Sequence, residues 1–114
     1  MISDARRRLE DLLDREIELA RVLKDTLAAE KTALTGDSPA AVEESAAEKI
    51  RVLEAIEKLD QQRRALCESP TSPGIAATVV ERWRRLMELM AGCRTANEVN
   101  GHIIHVRRDR KSVV

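Results

Sequence analysis

The residues of this chain that could carry chemistry are two histidines and two cysteines. His102 and His105 lie three apart, which places both on one side of a helix, and Cys93 precedes them by nearly three turns. A metal site takes three or four ligands at defined spacing, and neither Cys-x-x-Cys nor His-Glu-x-x-His occurs. A catalytic thiol needs an adjacent base, and no histidine neighbours Cys67 or Cys93. The sequence therefore predicts no metal, no cofactor and no enzymatic activity.

Two asparagines near the C-terminal end interrupt a helical stripe that is otherwise apolar. Counted in heptad-type steps, Asn97 and Asn100 fall in the same register as Trp83, Met90 and Ile104, which predicts that they face a core. A buried amide must be hydrogen-bonded, because an unpaired one costs about 1–3 kcal/mol. Departures from a pattern of this kind are expected at functional sites.

The composition predicts an all-α protein. The chain has 114 residues, of which 43% are hydrophobic and 35% are charged, and it has one aromatic residue, too few for a sandwich or barrel. We expect a single helical domain over residues 1–114, built as an antiparallel helical hairpin plus a third long helix in a three-helix bundle or coiled coil. A core this small gives modest stability, so a binding partner is plausible.

The first two helices are predicted over residues 3–34 and 39–67. Ser3 suits the N-cap of the first helix, and the intervening turn combines Gly36 for a left-handed C′ position with Ser38 and Pro39 for the next N-cap and N1. Such a short connection joins antiparallel neighbours. The positions expected to face inward are Leu9, Leu12, Leu13, Leu19, Ala20, Leu23, Leu27 and Leu34 in the first helix, and Val42, Ala46, Ile50, Leu53, Ile56, Leu59 and Leu66 in the second.

The third helix is predicted over residues 75–104, after a break that contains two prolines and Gly74. A basic tail follows over residues 105–114. An alternative is that Asn100 and Gly101 end the helix in a left-handed cap. The expected apolar side consists of Val79, Val80, Trp83, Leu86, Met87, Met90 and Cys93.

Charge is distributed unevenly, although the formal net charge is zero. Residues 1–81 carry 12 Lys+Arg against 17 Asp+Glu, and residues 82–114 carry 8 against 3. This pattern favours a basic third helix on an acidic hairpin. Phosphate binding is the alternative for the cluster of Arg107, Arg108, Arg110 and Lys111. Because no aromatic residue accompanies that cluster for base stacking, we expect no nucleic-acid partner.

Hydropathy and cysteine usage predict a soluble, cytoplasmic protein. No apolar run approaches the roughly 20 residues that span a bilayer, and the N-terminus turns charged within four residues. We expect Cys67 and Cys93 to be reduced, because about 20 residues of helix, or roughly 30 Å, would separate them.

Trp83, Met87 and Met90 allow two interpretations. In the first, a large ring and flexible thioethers fill an irregular seam of the core. In the second, they line an adaptable apolar groove for a partner helix, because three helices in a row leave a seam that a fourth can occupy.

The chain resembles the FlgN-like flagellar export chaperones. Residues 49–63, which end in Leu-Asp-Gln-Gln-Arg, follow the family pattern, as do Trp83-x-x-Leu86 and Cys93-Arg-x-x-Asn97-x-x-Asn100-Gly101-x-Ile103-Ile104. The resemblance covers most of the chain. It implies a helical, cytoplasmic, non-enzymatic chaperone that binds the C-terminal segments of hook–filament junction proteins. Such a chaperone prevents their premature assembly and hands them to the flagellar type III export apparatus.

On this interpretation the client lies along an apolar side of the third helix, and the asparagines fix its register by hydrogen bonds. The predicted binding residues are Trp83, Met87, Met90, Asn97, Asn100, Gly101, Ile103 and Ile104. Two alternatives share the architecture: a structural coiled-coil module whose seam is filled by its own copy, as a homo-oligomer, and a chaperone for another type III secretion substrate.

Overall fold

The computed structural model describes residues 2–70 and 73–113, with side chains as far as residue 109. It contains three helices: α1 (Asp4–Leu34), α2 (Pro39–Glu68) and α3 (Ala77–Val113). The prediction of an all-α bundle is confirmed, since the described residues form no strand. The molecule is a rod of 66 × 20 × 19 Å. None of the described helices is long and apolar enough to cross a bilayer.

α1 lies between the other two helices and packs along both of them, whereas over the described residues the backbones of α2 and α3 do not approach each other closely. The ion pairs Glu16–Arg63 and Glu30–Lys49 show that α2 runs antiparallel to α1. α3 runs parallel to α1, because the contacts between them keep a constant separation of 73 residues along the chain. This arrangement leaves one open channel over α1.

The caps of the hairpin follow the predicted chemistry at three positions and differ at a fourth. Ser3 and Ser38 each accept a backbone N–H three residues on, and Pro39 occupies the first turn of α2. Gly36 does not adopt the predicted left-handed conformation, because the one described glycine with positive φ is Gly74. The end of α1 is satisfied differently: Arg107 of α3 donates to the carbonyls of Leu34 and Gly36.

The buried face of α1 is wider and more polar than the sequence predicts. Every predicted inward leucine of α1 is buried or half-buried. Two glutamates and a threonine, which were not among the predicted inward positions, are buried as well: Glu16, Glu30 and Thr26. The glutamates are tolerated there because each has a cation of α2 as its partner, as described below.

α2 buries far less than expected. Ile50 and Leu53, predicted to face inward, are exposed, and Val52 is the one fully buried apolar residue among those described in this helix. The reason is that α2 packs closely against α1 alone, which covers a narrow strip of its surface. A hairpin helix with two neighbours would bury the wider stripe that the pattern suggested.

α3 begins at Ala77 and continues as helix to Val113, so the predicted end at residue 104 is wrong. Residues 105–113 of the predicted basic tail are helical, and residue 114 lies outside the described residues. Gly101 does not cap the helix. A mid-helix glycine costs about 1 kcal/mol relative to alanine, and the docking of Asn100 and Arg107 onto α1 on either side of Gly101 offsets that cost.

Candidate functional site

The main candidate site is the channel between α2 and α3, with α1 as its floor; we call it the groove. Three cavities lie along it. The lower one, of about 320 Å³, is lined by Leu9, Leu13 and Trp83 among others. The middle one, of about 160 Å³, lies over Leu23 and Leu27, and the upper one, of about 510 Å³, lies beside Leu34 and Ile104. The lower end is therefore near the start of α1, and the upper end is near the α1–α2 turn.

Two parallel stripes of α3, each with seven-residue spacing, have different neighbours. The inner stripe consists of Val79, Leu86, Cys93, Asn100 and Arg107 and packs on α1. Three of these residues, Val79, Cys93 and Arg107, also reach the edge of the groove. The stripe of Trp83, Met90, Asn97 and Ile104 borders the groove. Members of both stripes were predicted to share a single core-facing register. That placement is right for Asn100, which is 1% exposed, and wrong for Asn97, Trp83 and Ile104, which are exposed.

Each member of the inner stripe beyond Leu86 is directed at a carbonyl oxygen of α1. The Cys93 thiol lies 3.5 Å from the Ala20 oxygen. The Asn100 amide donates to the Leu27 oxygen at 3.0 Å, and Arg107 donates to the Leu34 oxygen. These acceptors also recur every seven residues, so polar side chains, as well as apolar packing, fix the register of α3 on α1.

The upper polar cluster consists of Glu30, Lys49, Asn97 and Asn100 and joins all three helices. Glu30 is buried, and its two carboxylate oxygens accept from Asn100 Nδ2 at 2.9 Å and from Lys49 Nζ at 2.8 Å. Lys49 also donates to Asn97 Oδ1 at 3.3 Å. The Asn100 Oδ1 atom is buried and has no partner among the described atoms.

The lower polar cluster consists of Glu16, Asp60, Arg63 and Trp83. Arg63 Nε donates to both oxygens of buried Glu16, at 3.1 and 2.9 Å, and its guanidinium also pairs with Asp60. The guanidinium carbon lies 4.7 Å from the centroid of the Trp83 ring, within cation–π range. Burial raises the pKa of Glu16, and the charge of Arg63 acts in the opposite direction.

The two clusters are built alike. Glutamates 16 and 30, cations 63 and 49, and the α3 residues 83 and 97 are each separated by 14 residues, which corresponds to two heptads or about 21 Å of helix. In each cluster a buried carboxylate of α1 holds a cation of α2, and that cation reaches across to α3. The clusters therefore link α2 to α3 across the groove at two levels.

The residues predicted to bind a partner fall into three groups. Trp83, Met90, Asn97 and Ile104 line the groove. Met87 and Gly101 lie at the rim of the groove, in an exposed stripe of α3 that also contains Val80 and Arg94. Asn100 packs on α1. Ile103 is separated from Arg82 and Leu89 by multiples of seven residues, so it lies with them on the flank of α3 turned away from α2.

The groove is also lined by residues of α2 and of the rim of α3 that were not among the predicted binding residues. Leu53, Lys49 and Val42 line the groove from α2, and Arg94 lines it from α3. The seven-residue spacing of 42, 49, 56 and 63 was a signal for this face. It was hidden because two of those four positions are cations, which a hydrophobicity pattern excludes.

The chemistry that the groove offers is binding. Apolar side chains are exposed along it: Trp83 is 41% exposed, and Leu53, Met87 and Ile104 are exposed as well. Both cysteines are free, with Cys67 exposed at the lower cavity and Cys93 buried. No group of three or more potential metal ligands occurs in the part of the chain that the structure describes.

Comparison with known protein families gives a match over most of the chain. The model of a protein family described as FlgN protein matches residues 1–110, which is nearly the whole chain. No curated protein sequence and no solved structure gives a match. The predicted family is confirmed: the chain belongs to the FlgN family of flagellar type III export chaperones.

Proposed function

We propose that this protein is a cytoplasmic chaperone that holds the C-terminal segments of hook–filament junction proteins in the groove. In this role it prevents their premature assembly and hands them to the flagellar export apparatus. The observation that supports the proposal is the line of exposed apolar side chains over an open seam of the bundle. The chain performs this function by binding, without catalysis and without a cofactor.

The groove suits a helical client. An amphipathic helix laid between α2 and α3 would complete a four-helix bundle, in which every helix has two close neighbours. Large apolar side chains on both walls, among them Leu53, Trp83 and Met87, would lose contact with water. Full burial of one such side chain contributes about 1.5–3 kcal/mol. Burial would supply the affinity, and the two polar clusters would fix the position of α2 and α3 on either side of the client.

The test uses calorimetric titration with the last forty or so residues of a candidate junction protein. Val80 and Val99 provide a matched pair, because each is 43% exposed and they lie on opposite flanks of α3. We expect Val80→Asn, at the rim of the groove, to weaken binding several-fold and Val99→Asn to leave it unchanged. Absence of heat with the unmodified protein, or equal effects of both substitutions, would contradict the proposal.

A second candidate function is oligomerisation, in which another copy of the chain covers the same exposed groove. Light scattering distinguishes the two. A concentration-independent dimer that ignores junction-protein termini favours a structural module, whereas a monomer or weak dimer that shifts on addition of the client peptide favours the chaperone. If the client comes from another type III secretion system, the monomer or weak dimer should shift on addition of that client's peptide and should not shift on addition of junction-protein peptides.

A further inference from the structure

The two walls of the groove differ in charge. From α3, the charged residues that line the three cavities are Arg94, Arg107 and Arg108, and no carboxylate of α3 joins them. From α2, the cations that line the cavities are Lys49 and Arg63, and each is bound to a buried glutamate of α1. The α3 wall is therefore basic, while the cations of the α2 wall are already neutralised.

Two arginines of the α3 wall, Arg94 and Arg107, present positive charge to an occupant of the groove. Arg94 forms no ion pair within the described residues, and it is exposed at the middle cavity. Arg107 donates to backbone carbonyls, which bind its hydrogens without cancelling its charge. Arg94 and Arg107 lie 13 residues apart, so this charge extends over about 20 Å of the groove.

We propose that the groove takes an amphipathic client helix whose carboxylates lie on the flank that faces α3, and that this flank determines the direction in which the helix is bound. The inference rests on the proposed function. A helix with an apolar stripe has two distinguishable flanks. Turning it end to end, with the stripe kept on the groove, exchanges the flanks between α2 and α3. One direction places carboxylates against arginines, and the other loses those pairs.

Cys67 allows the direction to be measured. It is an exposed, free thiol that lines the lower cavity, whereas Cys93 is buried. A peptide cysteine activated as a mixed disulfide is attacked by the Cys67 thiolate, which forms the new disulfide and displaces the activating thiol. A peptide activated at its N-terminal end reports one direction, and the same peptide activated at its C-terminal end reports the other.

The experiment compares two designed helical peptides with identical composition and the same apolar a and d positions. One carries its glutamates at the e positions and the other at the g positions, on opposite flanks of the stripe. Binding of each peptide is first measured by calorimetry. Cross-linking to Cys67 is then quantified by mass spectrometry, with Cys67→Ser as the control for the site of reaction.

We expect the two peptides to cross-link through opposite ends, each with a preference of about fivefold at low salt, as two or three exposed ion pairs would give. Raising the salt concentration should reduce the preference. Arg94→Glu should reduce it too, whereas Arg85→Glu, on the opposite flank of α3 in the cleft with Asp14, should leave it unchanged.

Binding of both peptides with cross-linking through the same end, or through both ends equally, would overturn the inference while leaving the proposed function intact. Failure of these peptides and of the junction-protein peptide to bind would overturn both.

Discussion

The buried asparagine of the upper polar cluster gives the sharpest test of how the bundle is held together. Asn97 and Asn100 lie three residues apart in α3 and both take part in that cluster, yet one is exposed and the other is buried. Among the described residues, the Asn97 side chain makes one hydrogen bond, which its Oδ1 accepts from Lys49 Nζ at 3.3 Å. Asn100 donates to the charged Glu30 and to the Leu27 carbonyl. Replacing each in turn by alanine separates these environments.

We expect Asn100→Ala to lower the free energy of unfolding by about 1.5–4 kcal/mol. A bond to a charged acceptor contributes about 1.5–3 kcal/mol and a neutral one about 0.5–1.5 kcal/mol, and removal of the buried Oδ1 atom, which has no partner among the described atoms, offsets part of that loss. Asn97→Ala should change it by no more than about 0.5 kcal/mol, as is usual for exposed positions. Both substitutions exchange the same residue types within one helix, so the gain in helix propensity cancels in the comparison.

Urea unfolding followed by circular dichroism measures both effects. With an m-value of about 1–3 kcal/mol/M, the midpoint for Asn100→Ala should fall by about 0.5 M or more, and that for Asn97→Ala should stay close to the parent value. A difference of less than about 1 kcal/mol between the two variants would refute the reasoning. It would mean that Glu30 and Lys49 stabilise the upper polar cluster without Asn100, and that the register of α3 on α1 depends on apolar packing alone.

Three further predictions concern other buried groups. Burial raises the pKa of Glu16 in the folded state, so its contribution to stability is present at low pH and is lost as pH rises through the folded pKa. The urea midpoint of the parent minus that of Glu16→Gln should therefore fall as pH rises above the ordinary carboxyl pKa of 4.5, and a rise would show that the attraction to its arginine partner dominates. Cys67 should react with a thiol reagent in the native protein, whereas Cys93, whose pKa is raised by burial, should react only on unfolding. Equal rates of modification of the two thiols, measured by mass spectrometry, would contradict the packing of α3. Leu86→Ala should lower the free energy of unfolding by about 2–5 kcal/mol and Trp83→Ala clearly less, because Trp83 is 41% exposed. The reverse order in urea unfolding would place Trp83 in the core.

Much of the fold follows from local sequence signals. The leucine spacing of α1 predicts a helix with a buried face, and Ser38 followed by Pro39 marks the start of α2 within one residue. These features depend on interactions between residues three or four apart, which the sequence contains directly. The end of α3 could not be predicted in this way. Gly101 is a reasonable stop signal by itself, and the helix continues because its neighbours in sequence dock onto α1.

The groove was predictable in part. An apolar side of α3 with Trp83 and Met90 indicated a seam for a partner, and both residues line the groove. The sequence pattern could not separate this stripe from the inner stripe of Leu86 and Cys93, because the two are adjacent on one helix. Only the position of α1 shows which stripe is covered and which is open.

The sequence by itself determined the helical class, the hairpin turn, the uneven charge and the family of this protein, since these depend on composition, short spacings and motifs. The tertiary structure decided which polar residues are inside. Glu16 and Glu30 belong to outer faces by hydropathy, and they are buried because α2 brings a cation to each of them. Asn97 and Asn100 look equivalent in sequence, and they differ because the parallel docking of α3 turns Asn100 alone towards α1. Burial of a charge or an amide depends on a partner from a distant segment, and packing alone supplies that partner.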